Sequence, residues 1–193
     1  MSNKKTALTV ALGAIALGSQ AHADFLSDSK ATLGMRNFYF NNDNRDGTAA
    51  PSKTEEWAQG FMLDYKSGYT DGTIGIGVDA LGLMGITLDS GMGRHVGSSM
   101  IPSDSDNSAV DQWSRLGLTG KVKVSKSELR LGTLMPKMPI LVSNDGRLLP
   151  QTFEGGQITS GEFKDLTLTG GRIEHATGRG SSPIRGRFHP GPQ

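Results

Sequence analysis

Alternation of apolar and polar residues with a period of two is the feature that most constrains this chain. Five runs show it, at residues 32–40, 56–66, 73–89, 113–124 and 127–134. Successive side chains of a β-strand point to opposite faces, so each run predicts a strand with one apolar and one polar face. After residue 23, no stretch of even about 18 consecutive apolar residues occurs, which argues against a membrane-spanning helix.

The connections between these runs alternate in length. Residues 68–72 and 125–126 are short connections, whereas residues 41–55, 90–111 and 136–162 are long ones. Barrels of bacterial outer membranes have short turns on the periplasmic side and longer loops outside the cell. The pattern therefore predicts an all-β fold, an antiparallel transmembrane β-barrel with the three long segments on the outside.

Composition supports a barrel and disfavours other classes. Glycine provides 27 of 193 residues, roughly twice its average share of about 7%, and many of these glycines fall inside the alternating runs, as suits a tightly curved wall. The chain has no cysteine, which argues against a small disulfide-stapled domain. With a net charge of +1 and scattered basic residues, it is not expected to bind nucleic acid.

The N-terminus has the pattern of a secretory signal peptide. Lys4 and Lys5 precede an apolar run at residues 7–17, and the small-residue triplet Ala21-His22-Ala23 follows it. The run is too short to span a bilayer, which takes about 20 apolar residues. We therefore predict that residues 1–23 are removed during export.

Two aromatic residues bracket the apolar stripe of the second run. Trp57 and Tyr65 lie on the same face, and in a strand tilted near 40° they would stand roughly 20 Å apart along the membrane normal. That spacing is close to the height of a lipid-facing band, so both are candidates for interfacial girdle residues. The alternative is that they end an ordinary amphipathic strand of a secreted β-sandwich binding module, whose apolar faces would pack against each other.

Three stretches carry a resemblance to a known family. They read LGMRNFYFNNDNRDG, EEWAQGFMLDYKSGYTDGTIGIGVDALG and GTLMPKMPILVSNDGRLLPQTFEGGQITS. In these stretches, and in order from about residue 27 to 180, the chain resembles the OprD family of specific outer-membrane porins.

The resemblance implies a monomeric barrel of eighteen strands, of which about six would lie in this chain. It implies passive uptake of small anionic or zwitterionic solutes, such as amino acids or other carboxylates, through the outer membrane of a Gram-negative bacterium. A third extracellular loop, here residues 136–162, would narrow the lumen, and its Pro136, Pro139 and Pro150 suit a segment without ladder hydrogen bonds. Other implied partners are outer-membrane lipid, lipopolysaccharide and the outer-membrane assembly machinery.

Charged residues on the predicted lumen side are the candidate pore-lining and constriction residues. Family porins line the pore with basic residues that attract a substrate carboxylate, because an ion that loses hydration in a narrow pore needs opposite charge. Arg36 matches the family's Arg-Asn-aromatic sequence. The full set is Arg36, Arg115, Lys121, Lys123 and Arg130 on strands, with Lys137, Asp145 and Arg147 in the long segment. The alternative is that a wet lumen face carries charges without any role in solute recognition.

No motif for catalysis, a metal or a cofactor is found. His95, His175 and His189 have no metal-ligand spacing, and a Gly-x-Ser-x-Gly elbow is missing. We therefore expect no enzyme activity, no catalytic residue, no bound metal and no cofactor.

The resemblance stops near Ser182. Residues 183–193 contain Pro183, Pro190 and Pro192, which do not fit a central strand. The expected organisation is a signal peptide at 1–23, the N-terminal part of a porin barrel at 24–182 and a non-family tail at 183–193. A second interpretation is a truncated, non-functional porin fragment, since about six strands cannot close a barrel.

Overall fold

The computed structural model describes residues 25–44, 48, 52–91, 93–95 and 98–181. The predicted signal peptide and the tail lie outside this part of the chain. Among the described residues, no helix is long and apolar enough to cross a membrane.

Seven long strands form one antiparallel sheet. They are β1 (Lys30–Asp43), β2 (Lys53–Lys66), β3 (Ile74–Asp89), β4 (Gln112–Val124), β5 (Ser127–Leu134), β8 (Thr152–Ser160) and β9 (Leu168–Thr177). They are hydrogen-bonded in the order β1-β2-β3-β4-β5-β8-β9. Between β5 and β8, the two-residue strands β6 (Lys137–Met138) and β7 (Leu141–Val142) form a small hairpin. The predicted all-β fold is confirmed, and each of the five alternating runs coincides with a strand.

The predicted loop 136–162 is too long. Its second half is strand β8, which pairs with β5 and β9, so the described sheet has seven long strands rather than about six. Alternation missed β8 because Gly155 and Gly156 carry no side chain that marks an apolar or a polar face. The prediction that this segment lacks ladder hydrogen bonds is also wrong, since the β6–β7 hairpin lies within it.

Connection lengths still alternate with the corrected strands. Turns 67–73, 125–126 and 161–167 lie at one end of the sheet, the short-turn end. The described residues of segments 44–52, 90–111 and 135–151 lie at the other, the long-loop end. We call the described residues of segment 90–111 loop 2 and segment 135–151 loop 3.

The outward face of the sheet is apolar and exposed. The predicted apolar parity is confirmed on every alternating run, with exposed Met35, Leu63, Ile76, Leu116 and Leu131 among many others. Trp57 lies on this face toward the long-loop end, 43% exposed. Soluble monomers rarely expose contiguous apolar patches beyond a few hundred Å². A β-sandwich would cover this face with a second sheet, so the binding-module alternative fails.

The inward face is covered by the two long loops. Met100 and Ile101 of loop 2 and Leu148 and Leu149 of loop 3 are buried together, and they pack against β2, β3 and β4 through Ala58, Leu83 and Trp113. Gly60 admits this packing, because a Cβ there would lie 3.0 Å from Leu148 Cγ. The buried apolar cluster is thus located inside the curved sheet at its long-loop end.

Candidate pore-lining site

A cavity of about 690 Å³ runs along the inward face below loop 3. Both edge strands contribute to it, β1 through Thr32 and β9 through Thr169, which shows that the sheet curls around this space. Four of the eight predicted site residues line it, namely Arg36, Arg130, Lys137 and Asp145. The cavity is therefore built from the wall and the constriction segment together.

Arg36 on β1 binds a carboxylate of loop 3 with both of its terminal nitrogens. Its Nη1 lies 2.8 Å from Asp145 Oδ1, and its Nη2 lies 3.0 Å from Asp145 Oδ2. The side chains are 28% and 55% exposed, so the pair is open to the cavity. This two-pronged geometry is the one in which arginine binds carboxylates most strongly.

A network centred on Asp79 lies lower on the inward face, on β3. Asp79 Oδ1 is 2.7 Å from Lys121 Nζ, and Asp79 Oδ2 accepts a hydrogen bond of 2.5 Å from Arg130 Nη2. Arg130 Nε also lies 3.1 Å from Glu128 Oε1. Two predicted cations, Lys121 and Arg130, are therefore balanced by two carboxylates of the wall.

The turn 67–73 folds inward over this network. Its Tyr69 donates a hydrogen bond of 2.5 Å to Glu128 Oε2, and the Lys121 and Lys123 ammonium groups lie 4.7 and 5.7 Å from the Tyr69 ring centroid. Burial, followed by the bond to the Glu128 carboxylate, raises the pKa of Tyr69 above its usual value. Gly77 makes room for the turn, because a Cβ there would lie 2.6 Å from a carbonyl oxygen of it.

Arg115 and Arg147 bind backbone rather than carboxylates. Arg115 donates to the carbonyl oxygens of Gly178, at 2.9 Å, and of Pro150. Arg147 Nε donates to Ser98 O at 3.1 Å. Both arginines therefore anchor loop segments.

Comparison with known proteins places the chain in a family. The family model for "outer membrane porin, OprD family" matches residues 23–189. The chain belongs to the OprD family. It is 46% identical over 178 residues to the porin-like protein GalP of Pseudomonas putida, a match that covers 92% of this chain and 43% of GalP.

Solved OprD-family structures share the fold. OccK9 (OpdG) of Pseudomonas aeruginosa superimposes with a TM-score of 0.79 at 52% identity, over 82% of this chain and 41% of OccK9. OpdK of the same species, crystallised with vanillate, superimposes with a TM-score of 0.74 at 42% identity, over 83% of this chain and 39% of OpdK. The chain thus spans less than half the length of these relatives. They are porins, which are channels rather than enzymes.

Sequence reasoning missed several residues that organise this OprD-family site. Asp79 and Glu128 lie on the predicted lumen parity, so the period of two could have found them. Tyr69 gave no signal, because its role depends on how turn 67–73 folds. In the described part of the chain, no group of three or more histidine and acidic side chains is placed to hold a metal ion.

Proposed function

We propose that this chain forms part of the wall and the constriction of an outer-membrane channel that lets small carboxylate-bearing solutes diffuse through. The observation that supports this most is the Arg36–Asp145 pair in the inward cavity. The Arg36 guanidinium, which binds the Asp145 carboxylate with two hydrogen bonds, is placed to bind the carboxylate of a solute in the same way. Channel selectivity by charge arises where a solute loses water and wall charges replace it.

Exposure of the Arg36–Asp145 pair lowers the free energy needed to exchange Asp145 for a solute carboxylate. Ion pairs that face water contribute about 0–1 kcal/mol to stability. A solute carboxylate can therefore replace Asp145 on Arg36 at a small cost in free energy. Lys137 lines the same cavity and adds positive charge to it. OpdK, a relative crystallised with the aromatic carboxylate vanillate, supports this class of solute.

The outward face supports a membrane location for the chain. Its exposed apolar side chains fit contact with outer-membrane lipid, while the long-loop end would face the outside and lipopolysaccharide. Export through a signal peptide at residues 1–23, insertion by the outer-membrane assembly machinery, a porin portion at 24–182 and a monomeric state complete the proposal. Trp57 and Tyr65 would lie at the two interfaces of the bilayer.

A flux experiment tests the role of Arg36. The protein is reconstituted in liposomes, and entry of vanillate is compared with entry of an uncharged aromatic alcohol of similar size. In R36Q we expect vanillate flux to fall severalfold while flux of the alcohol stays the same. Arg172→Gln is the matched control, because Arg172 is an exposed arginine outside the cavity, paired with Glu174 at 3.5 Å.

Two outcomes contradict the proposal. Equal flux of vanillate before and after the Arg36 substitution would remove Arg36 from solute recognition. Vesicles that admit neither solute with the unsubstituted protein would show that this chain does not conduct, whatever its relatives do.

A further inference from the structure

Glu56 on β2 is a carboxylate with no exposed surface, and both of its oxygens face loop 2. Its Oε1 lies 2.5 Å from His95 Nδ1, and its Oε2 accepts a hydrogen bond from Ser98 Oγ. The other ring nitrogen of His95, Nε2, lies 2.8 Å from Ser103 Oγ. A buried carboxylate is costly unless its oxygens are bonded, so Glu56 and loop 2 hold each other in place.

Loop 2 in turn holds loop 3. The carbonyl oxygen of Ser98 accepts the 3.1 Å hydrogen bond from Arg147 Nε. Met100, whose backbone N–H donates to Ser98 Oγ at 2.9 Å, belongs to the buried cluster with Leu148 and Leu149. One serine of loop 2 therefore bonds Glu56 with its side chain and loop 3 with its backbone.

Loop 3 then meets the wall at the proposed solute site. Arg36 Nη1 donates to the carbonyl oxygen of Arg147 at 2.5 Å and binds Asp145 two residues earlier. The Arg147 guanidinium also lies 4.8 Å from the centroid of the Phe40 ring of β1. A continuous set of contacts therefore connects Glu56 on β2 to Arg36 on β1 through both long loops.

We infer that Glu56 is a positioning residue for the constriction: through His95 and Ser98 it fixes loop 2, and loop 2 fixes the segment of loop 3 that faces Arg36. The significance for solute passage rests on the proposed function, whereas the structural effect does not. Glu56 lies outside the cavity that a solute would cross, so its effect on Arg36 is indirect.

Local protection of loop 3 tests the inference in the full chain, refolded in detergent micelles. The bond between Arg147 and the buried Leu148 should resist trypsin in the unsubstituted protein. In E56A we expect this bond to be cut at least tenfold faster, with an unchanged β-sheet circular dichroism spectrum. E56Q should restore protection, because an amide can accept from Ser98 and donate to the other tautomer of His95. Asp71→Asn, in the exposed part of turn 67–73 at the short-turn end, is the control.

A second measurement covers the case in which E56A does not fold. Ser98→Ala keeps the carboxylate and removes its hydroxyl partner. Because the chain has no cysteine, spin labels can be attached to two introduced cysteines, Met35→Cys on the outward face of β1 and Ile140→Cys in loop 3. The label-to-label distance distribution should broaden in S98A and stay narrow in D71N.

The results separate the inference from the proposed function. Unchanged trypsin protection in a folded E56A, or an unchanged distance distribution in S98A, would overturn the positioning role. Loosening of loop 3 without any change in vanillate flux would keep the positioning role and count against Arg36 as a solute contact.

Discussion

Replacing Asp79 by asparagine should destabilise the sheet by about 3 kcal/mol. The side chains of Asp79 and Lys121 are 10% and 6% exposed, and their charged atoms are 2.7 Å apart. Removal of one partner from a buried ion pair costs about 3–5 kcal/mol, because it leaves an uncompensated charge away from water. Arg130, the second partner, is 34% exposed and adds little, since solvent screens it. The lower end of the range is therefore expected.

Urea unfolding in detergent micelles, followed by tryptophan fluorescence, measures this loss. Trp113 is 6% exposed, so its emission reports on the packing of the inward face. Asp71→Asn, in the exposed part of turn 67–73, is the control and should change stability by less than about 0.5 kcal/mol. The double variant D79N/K121M should recover more than half of the loss, because it removes the stranded ammonium. A loss below about 1 kcal/mol in D79N, or no recovery in the double variant, would refute the ion-pair argument.

Three further predictions concern a glycine, a turn carboxylate and the buried cluster. G77A should destabilise by about 1–3 kcal/mol and make turn 67–73 more sensitive to protease, because the new methyl group would meet the Gly68 carbonyl oxygen at 2.6 Å. Glu162 accepts a 2.7 Å hydrogen bond from the Lys126 backbone N–H, which lowers the pKa of that carboxyl. A lowered pKa stabilises the fold above the unfolded-state pKa, and this stability is lost as pH falls through the folded-state pKa. E162Q should therefore melt at a lower temperature than the unsubstituted protein at pH 7, and the two melting temperatures should converge in acid. L148A should cost about 2–5 kcal/mol in urea unfolding, because Leu148 is fully buried; a value under 1 would mean that loop 3 refills the space.

Much of the wall can be predicted from the sequence, because alternate residues of a strand lie on opposite faces of the sheet. Assigning one residue to a face therefore assigns all the others of that strand. Once Ile74 and Ile76 are assigned outward, Asp79 and every second neighbour must point inward. The same rule placed Arg36 correctly on the inward face. Sequence analysis missed strand β8 because its glycines, Gly155 and Gly156, carry no side chain that marks a face.

The folding of the long loops does not follow from parity. No local pattern indicates that the Ser98 carbonyl oxygen accepts a hydrogen bond from Arg147, or that the Ser98 hydroxyl donates one to the buried Glu56. These contacts join residues 49 and 42 positions apart. His95 drew attention only as a possible metal ligand and is instead a hydrogen-bonding partner of a buried acid. The long-range partners of a charged residue decide its role, and sequence spacing does not contain them.

The distribution of partners changes what the predicted basic residues can do. Arg36, Lys121 and Arg130 are neutralised by carboxylates, and they differ in exposure. Among the described residues, exposed Lys123 and Lys137 form no ion pair, and they lie toward opposite ends of the inward face. Under the proposed function, an entering anion would meet unpaired positive charge near each end and an exchangeable pair, Arg36 with Asp145, between them. Attraction at the ends with exchange in the middle favours entry without trapping, which is the condition for rapid diffusion through a channel.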